Sequence, residues 1–483
     1  MLRILVVLLV LFVPSIAIAE EEKSQKELLE TFMEEAMEVY KIPGASLGLV
    51  QNGEVTFKQS FGEQGNGEPV TNQTLFTIGS VSKPLTSLGI LKLAEKGDIK
   101  LDEPIDTYIS FDYGQSDSRF EITIRQLLSH TSGIGTFEGL QVADQNLRGK
   151  EAIAEAVAEL EPVELTAQPG EIHQYSAANY LLLGKIIEEV SGIPFAEYMQ
   201  KEVFASLGMD RTYATYSEAE KSGYQPGHQS WFGKPIKSDL WFDDSGAPYG
   251  YMASTMNDMT TFITRLVDRE SLLSEPYLTM YFSPEVHRKE DYYYGLGWRM
   301  NTNDDDPFIF HGGETPDTRA ELFISQSKDY AFVLLTNKNN FSEVMQTIHM
   351  KEGIRSIIEK QEVKPLPETS YKMQWLTLSV TAFITLLSLW NLIRLARKKV
   401  IHQRLWFALA AFSILLAILL IPLLVTIFEA PWHTFVAYGP ETVLFIKIMI
   451  GVFIINGLGL FVILGWNKLK GDSRSPEQLT NVI

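Results

Sequence analysis

Phe76–Lys96 reads FTIGSVSKPLTSLGILKLAEK, and more of the chain hangs on this stretch than on any other. Leu85, Leu88, Leu91 and Ala94 recur at helical spacing, and Gly97 stands where a glycine ends a helix, which predicts a helix with Ser80 at or just before its first turn. Pro84 fits, because the first turn loses little from a missing N–H. Three residues apart at a helix start, Ser80 and Lys83 share one face, close enough for an amine to reach a hydroxyl. A serine hydroxyl is a poor nucleophile at neutral pH. The pair therefore has chemical meaning only if burial or nearby positive charge lowers the Lys83 pKa enough for it to accept a proton. The helix start also aims N–H groups and positive dipole at the same point, favouring a developing oxyanion. Ser-x-x-Lys alone is a common coincidence, the alternative being an ordinary helix start with a capping serine.

Upstream, Ala45–Val50 and Val55–Phe61 flank Gln51-Asn52-Gly53, a strand–turn–strand signal, and Ser24–Tyr40 carries an amphipathic helical pattern. Residues 1–19 combine Arg3, an apolar run and the ending Ala17-Ile18-Ala19, the pattern of a secretory signal peptide. The chain has no cysteine, which excludes disulfides and thiolate metal sites. Its formal net charge of −19 disfavours nucleic acid as a partner.

Downstream, Ile122–Ile134 reads ITIRQLLSHTSGI, with a short helix expected at Gln126–His130 and His130 more suited to ordering backbone than to chemistry. Tyr175 stands in HQYSAANYLLLG, ahead of a helix expected over Leu181–Val190. A phenol beside an ammonium can relay its proton, so Tyr175 matters if the fold brings it to Lys83. Gly246–Tyr251 is glycine-rich and Met256–Leu266 helical. Tyr294–Met300, Phe308–His311, Arg319–Ser325 and Ala331–Asn337 read as short strands, followed by a helix over Ser342–Lys360. His311-Gly312-Gly313 ends one of these strands with two glycines, which allow close backbone approach to a ligand.

FTIGSVSK, LLSHTSGI, the Tyr175 loop with NYLLLG, YGLGW and HGG, in this order, resemble the serine β-lactamase and penicillin-binding-protein-like hydrolases, in particular their class C branch. The resemblance covers about Lys26 to Lys360. It implies an α+β fold, a five-stranded antiparallel sheet flanked by helices plus an all-helical lobe, with the site between them. It also implies Ser80 as the acylated nucleophile, Lys83 and Tyr175 as the proton-transfer pair, and no metal or organic cofactor. His311-Gly312-Gly313 stands where the family has K-T-G or H-x-G, and the oxyanion hole falls to the N–H groups of Ser80 and Glu314, beside Gly313. Two positions depart from the pattern: the family's Y-x-N reads Tyr175-Ser176-Ala177, and a histidine stands where K-T-G has a permanent cation. Both weaken the case for a true β-lactamase and leave acyl transfer intact.

Beyond a Pro-containing linker at residues 363–373 come three apolar segments, about Trp375–Ile393, Leu405–Phe428 and Val443–Trp466, each near the ~20 residues that cross a bilayer. Arg394, Arg397, Lys398, Lys399 and Arg404 lie between the first two, whereas Glu429–Glu441 has no lysine or arginine. Positive-inside logic puts the basic loop in the cytoplasm. The expected layout is a signal peptide at 1–19, an extracytoplasmic hydrolase domain at 20–362, three transmembrane helices within 374–467 and a cytoplasmic tail at 468–483. The tail reads as an anchor, its partner the lipid bilayer. This layout is similar to that of the membrane-bound D-amino-acid prodrug peptidases of the colibactin-maturing type, although no residue fixes a D-asparagine preference. The expected activity is that of a peptidase or amidase on D-amino-acid-containing or cell-wall-derived substrates. An esterase on small or D-alanyl esters is the alternative, and a non-catalytic sensor that binds wall fragments is the alternative of another class.

Overall fold

The computed structural model describes residues 23–114, 121–269, 272–397 and 401–472. The signal peptide expected at 1–19, Lys398 and Lys399 of the basic loop, and residues 473–483 lie outside the described residues.

The main sheet is built from β1 (Gly44–Gln51), β2 (Glu54–Gly62), β3 (Pro284–Lys289), β4 (Tyr292–Gly295), β5 (Arg299–Asn301), β6 (Phe308–Thr315), β7 (Thr318–Ser325) and β8 (Tyr330–Thr336). Its order is β2-β1-β8-β7-β6-β5-β4-β3, antiparallel throughout. The five expected strands correspond to β2 through β6 in that order, and the short β5, β4 and β3 extend the sheet to eight. The β1–β2 turn forms at Asn52 (φ 52°) and Gly53 (φ 79°), both in the left-handed region such a turn demands. Tyr294–Met300, expected as one strand, is two: Gly297 breaks it with φ 90°, and a Cβ there would fall 2.3 Å from Ser87 Oγ. That close approach, set by a helix far away in sequence, is what local β-propensity does not see.

Both faces of the sheet are covered. In β8, Tyr330, Phe332 and Leu334 pack on one side with Phe32, Met33, Met350 and Ile354 of the helices Gln25–Tyr40 and Val344–Lys360. The alternating Ala331, Val333 and Leu335 join the core on the other side, with Met256, Met259 and Ile263 of the helix Met256–Asp268. Ser24 caps the first helix through a reciprocal pair with Glu27. The core containing Val333 continues without a break into the helical lobe, through Leu85, Leu88 and Leu91 to Leu127, Leu181 and Ile186.

Three helices, Lys372–Arg397, Gln403–Phe428 and Pro440–Asp472, are long and apolar enough to cross a membrane. Asn456 Nδ2 donates to Ser413 Oγ at 3.3 Å, and Ser413 Oγ donates to the Phe453 carbonyl at 2.8 Å, so polar side chains tie the last two together. The linker does not hang free: Gln346 Nε2 donates to Thr369 Oγ1 at 2.8 Å and Tyr371 OH to Glu343 at 2.9 Å.

Candidate active site

Phe76–Thr77 is a short strand that leads into one 3-10 turn, Gly79–Val81, and then the helix Ser82–Lys96. Ser80 therefore sits in the turn just before the helix, with Pro84 in the first helical turn and Gly97 closing the far end at φ 83°. Gly79 is held at φ 54°, and a Cβ on it would lie 2.0 Å from the Glu314 nitrogen. β6 thus runs against the Ser80 turn. It can do so because β5 pairs with β6 only over Phe308–Phe310, leaving the edge from His311 to Thr315 open on that side.

Lys83 is buried, and its Nζ donates to Ser80 Oγ at 3.1 Å and to the Tyr249 carbonyl at 2.7 Å. Burial lowers its pKa below that of an ordinary lysine; Tyr175 opposes this and the Arg299 charge adds to it. The Tyr175 ring centroid lies 4.8 Å from the Lys83 nitrogen. Its hydroxyl is buried without a hydrogen bond of good geometry. Burial alone would raise the phenol's pKa, but the charges of Lys83 and Arg299 outweigh it and pull the pKa down. The arrangement can pass one proton between a serine, an amine and a phenol.

His130 is wholly buried and holds the Tyr175 loop in place. Its carbonyl accepts from Gln174 N at 2.8 Å, and its Nδ1 accepts from Ser176 N at 3.2 Å, so the two neighbours of Tyr175 are fixed from one residue. Asn179 Nδ2 lies 3.0 Å from the same ring nitrogen, and Ser132 Oγ donates to Asn179 Oδ1. The helix expected to begin at Leu181 begins at Ala177, which places Ala177 in the cavity at the helix start.

His311 is buried and does not line the cavity. Its Nδ1 donates to the Gly312 carbonyl at 2.8 Å, and Tyr294 OH, 3.3 Å away, faces its Nε2 as the donor. Burial, Arg299 and Lys83 push its pKa well below the ordinary histidine value, so the ring is neutral and supplies no fixed cation. Gly313 packs against the turn, its would-be Cβ 2.0 Å from the Ile78 carbonyl oxygen, and Glu314 lines the cavity with its carboxylate on Arg319 at 2.9 Å.

Ser80, Lys83, Tyr175, Ala177 and Glu314 meet in one cavity of about 310 Å³. Among the described residues no three His, Cys, Asp or Glu side chains converge as a metal site needs. Sequence reading missed three contributors. Arg299, whose guanidinium lies 5.2 Å from the Tyr175 ring, follows a buried tryptophan and carries no motif. The Tyr249 carbonyl belongs to the glycine-rich run, a signal that was visible without its meaning. Asp144, which burial pushes up to about 6, also lines the cavity.

The sequence model of the family described as Beta-lactamase matches residues 29–352. Protein flp of Staphylococcus aureus (strain MRSA252) is 26% identical over 322 residues, 65% of this chain and 63% of the relative, so the chain spans less than two thirds of that protein. Penicillin-binding protein 4* of Bacillus subtilis (strain 168) is 27% identical over 349 residues, 68% of this chain and 75% of the relative. Among solved structures, the octameric penicillin-binding protein homologue from Pyrococcus abyssi aligns with a TM-score of 0.60 at 25% identity, over 73% of this chain and 80% of that one. The D-amino acid amidase of Ochrobactrum anthropi SV3 shares the fold, with a TM-score of 0.60 at 22% identity over 70% of this chain and 99% of that one.

Proposed function

The chain belongs to the beta-lactamase family of serine hydrolases, and from that premise we propose that it is a membrane-anchored amidase or peptidase that works through an acyl-enzyme on Ser80. The observation that carries this reading is the 3.1 Å hydrogen bond from a buried Lys83 to Ser80 Oγ. With the Lys83–Tyr175 pair short of one proton, Ser80 Oγ loses its proton to the pair as it attacks the substrate carbonyl carbon. The N–H groups of Ser80 and Glu314 stabilise the oxyanion that forms. The same proton passes to the leaving nitrogen as the C–N bond breaks. Water then attacks the ester, gives its proton to the pair and releases the acid. Return of the proton to Ser80 Oγ restores the site.

The substrate reading rests on what the site lacks. Ala177 offers a methyl where a carboxamide would hold a substrate amide, a hydrogen bond worth about 0.5–1.5 kcal/mol, and His311 is neutral where a cation would hold a carboxylate. Penicillin-like ligands lose both anchors, while acylation of Ser80 needs neither. The fold shared with a D-amino acid amidase supports amides of D-residues as the leading class. Esters remain the second reading, since they too need only the acylation machinery. We expect kcat/KM for an N-acyl-D-amino anilide or p-nitrophenyl acetate to exceed that for nitrocefin, and Ala177→Asn to raise nitrocefin turnover selectively. Nitrocefin as the best of the three would defeat this reading.

The same proposal puts the catalytic domain outside the cytoplasmic membrane. Supporting it, the loop without lysine or arginine, Glu429–Glu441, packs on that domain, where His433 donates to the Leu140 carbonyl at 2.9 Å. A cysteine replacing Lys58, which is exposed, should react with an impermeant thiol reagent in intact cells, and one replacing Lys398 should not. Labelling of the second position would reverse the topology.

A further inference from the structure

Between the helices Gln403–Phe428 and Pro440–Asp472 the chain forms a short helix, Trp432–Tyr438, which lies on the catalytic domain. Two ties hold this helix there and a third holds the start of the helix that follows it. His433 Nε2 donates to the Leu140 carbonyl, Gln229 Nε2 donates to the Ala437 carbonyl at 2.6 Å, and Asn340 Nδ2 donates to Glu441 at 3.1 Å. As a result Thr434 and Tyr438 line the cavity that contains Ser80 and Lys83.

The same cavity contains Asp144, a buried residue held at φ 59°. Its Oδ1 accepts from Tyr251 OH and, at 3.4 Å, from Tyr438 OH. No described residue donates to Oδ2, and no described lysine or arginine pairs with this carboxyl. Leu140, Ala143, Phe341 and Val344 make much of the remaining wall apolar. A carboxyl in such surroundings is costly to ionise without a countercharge, and none of the described residues supplies one. Lys83, the cation of this cavity, is on Ser80 Oγ and the Tyr249 carbonyl, so the Asp144 carboxyl is left with phenol donors alone.

We propose that Asp144 receives the free ammonium of the substrate's acyl residue, in a subsite whose outer wall, Thr434 and Tyr438, comes from the helix between the second and third membrane segments. This rests on acylation at Ser80 as described above. Within the amide class it makes amides of an amino acid whose α-ammonium is unblocked the preferred substrates over their N-acyl counterparts, and it makes the membrane tail part of the enzyme as well as its anchor.

The test uses the full chain in detergent, with D-phenylalanine p-nitroanilide and its N-acetyl derivative as probes. Wild type should favour the free ammonium. Asp144→Asn, a change compatible with positive φ, should lower the kcat/KM ratio of free to acetylated substrate at least about tenfold, mainly through KM, the lower end for losing a hydrogen bond to a charged group. Tyr438→Trp, which adds bulk on the interspan helix, should raise KM for both anilides. Preference of wild type for the acetylated probe, turnover of neither probe, or a ratio unmoved by Asp144→Asn overturns the ammonium subsite. Unchanged KM values in Tyr438→Trp overturn the wall. Failure of a fluorophosphonate to label Ser80 in wild type would instead remove the hydrolase reading itself, so the two failures are distinguishable.

Discussion

Lys83→Ala and Tyr175→Phe are each expected to slow acylation of Ser80 by a fluorophosphonate at least ~10²-fold, the lower end for losing a general base. The adduct in wild type should map to the peptide containing Ser80. The expectation follows from a chain of contacts: the Lys83 amine is on the hydroxyl at 3.1 Å, and the phenol ring is 4.8 Å from the amine. The two groups act as a unit, so the double variant should be little slower than the worse single one. The pH profile carries the sign. Attack needs the pair to have lost one proton, so acylation rises with pH along a limb. Burial, with Arg299, lowers the Lys83 pKa, which places that limb below the 10.5 of an ordinary lysine. Lys83→Ala should abolish the low-lying limb. Normal acylation in both single variants would refute the proton-transfer assignment.

Gly313→Ala is expected to cost ~10²–10³ in acylation rate, the size of an oxyanion donor lost. A Cβ at this position would stand 2.0 Å from the Ile78 carbonyl oxygen and 3.0 Å from the Ser80 nitrogen. The first atom is backbone, with no rotamer to move it aside, so β6 must retreat from the Ser80 turn. Retreat would carry the Glu314 N–H away from the oxyanion position proposed for it. Gly312→Ala is the matched comparison, because its Cβ would meet only the end of the Glu321 side chain at 3.3 Å, and a small effect is expected there. Thermal unfolding of both variants checks that the fold survives. Wild-type acylation in a folded Gly313→Ala would show that the strand does not set the oxyanion geometry.

What the sequence by itself determined is local. The helix at Ser82–Lys96 with its Gly97 end, the Asn52-Gly53 turn, the Ser24–Tyr40 helix and the three apolar helices all follow from periodicity, capping and left-handed positions. Their energetics act between residues a few positions apart. The spacing of Ser80 and Lys83 belongs to this group, since a helix start fixes it, and so does the suspicion that His130 orders backbone.

Only tertiary structure decided whether that spacing means anything. Desolvation of Lys83 requires the Tyr249 segment and the Tyr175 loop to close around it, with the charge of Arg299 adding to the effect, and no local pattern encodes which distant segments will do so. Arg299 was invisible because a single charge after a buried Trp298 has no motif. His311 was legible as a residue but not as a neutral one, because its charge is set by burial and by Arg299 and Lys83. The helix Trp432–Tyr438 was hidden for the same reason: its flanks read only as helices apolar enough to cross a membrane, and only packing brings Thr434 and Tyr438 into the cavity with Ser80. Local propensity places groups along the chain, whereas proximity and dielectric, which set pKa and shape a cavity, arise from contacts between residues far apart in it.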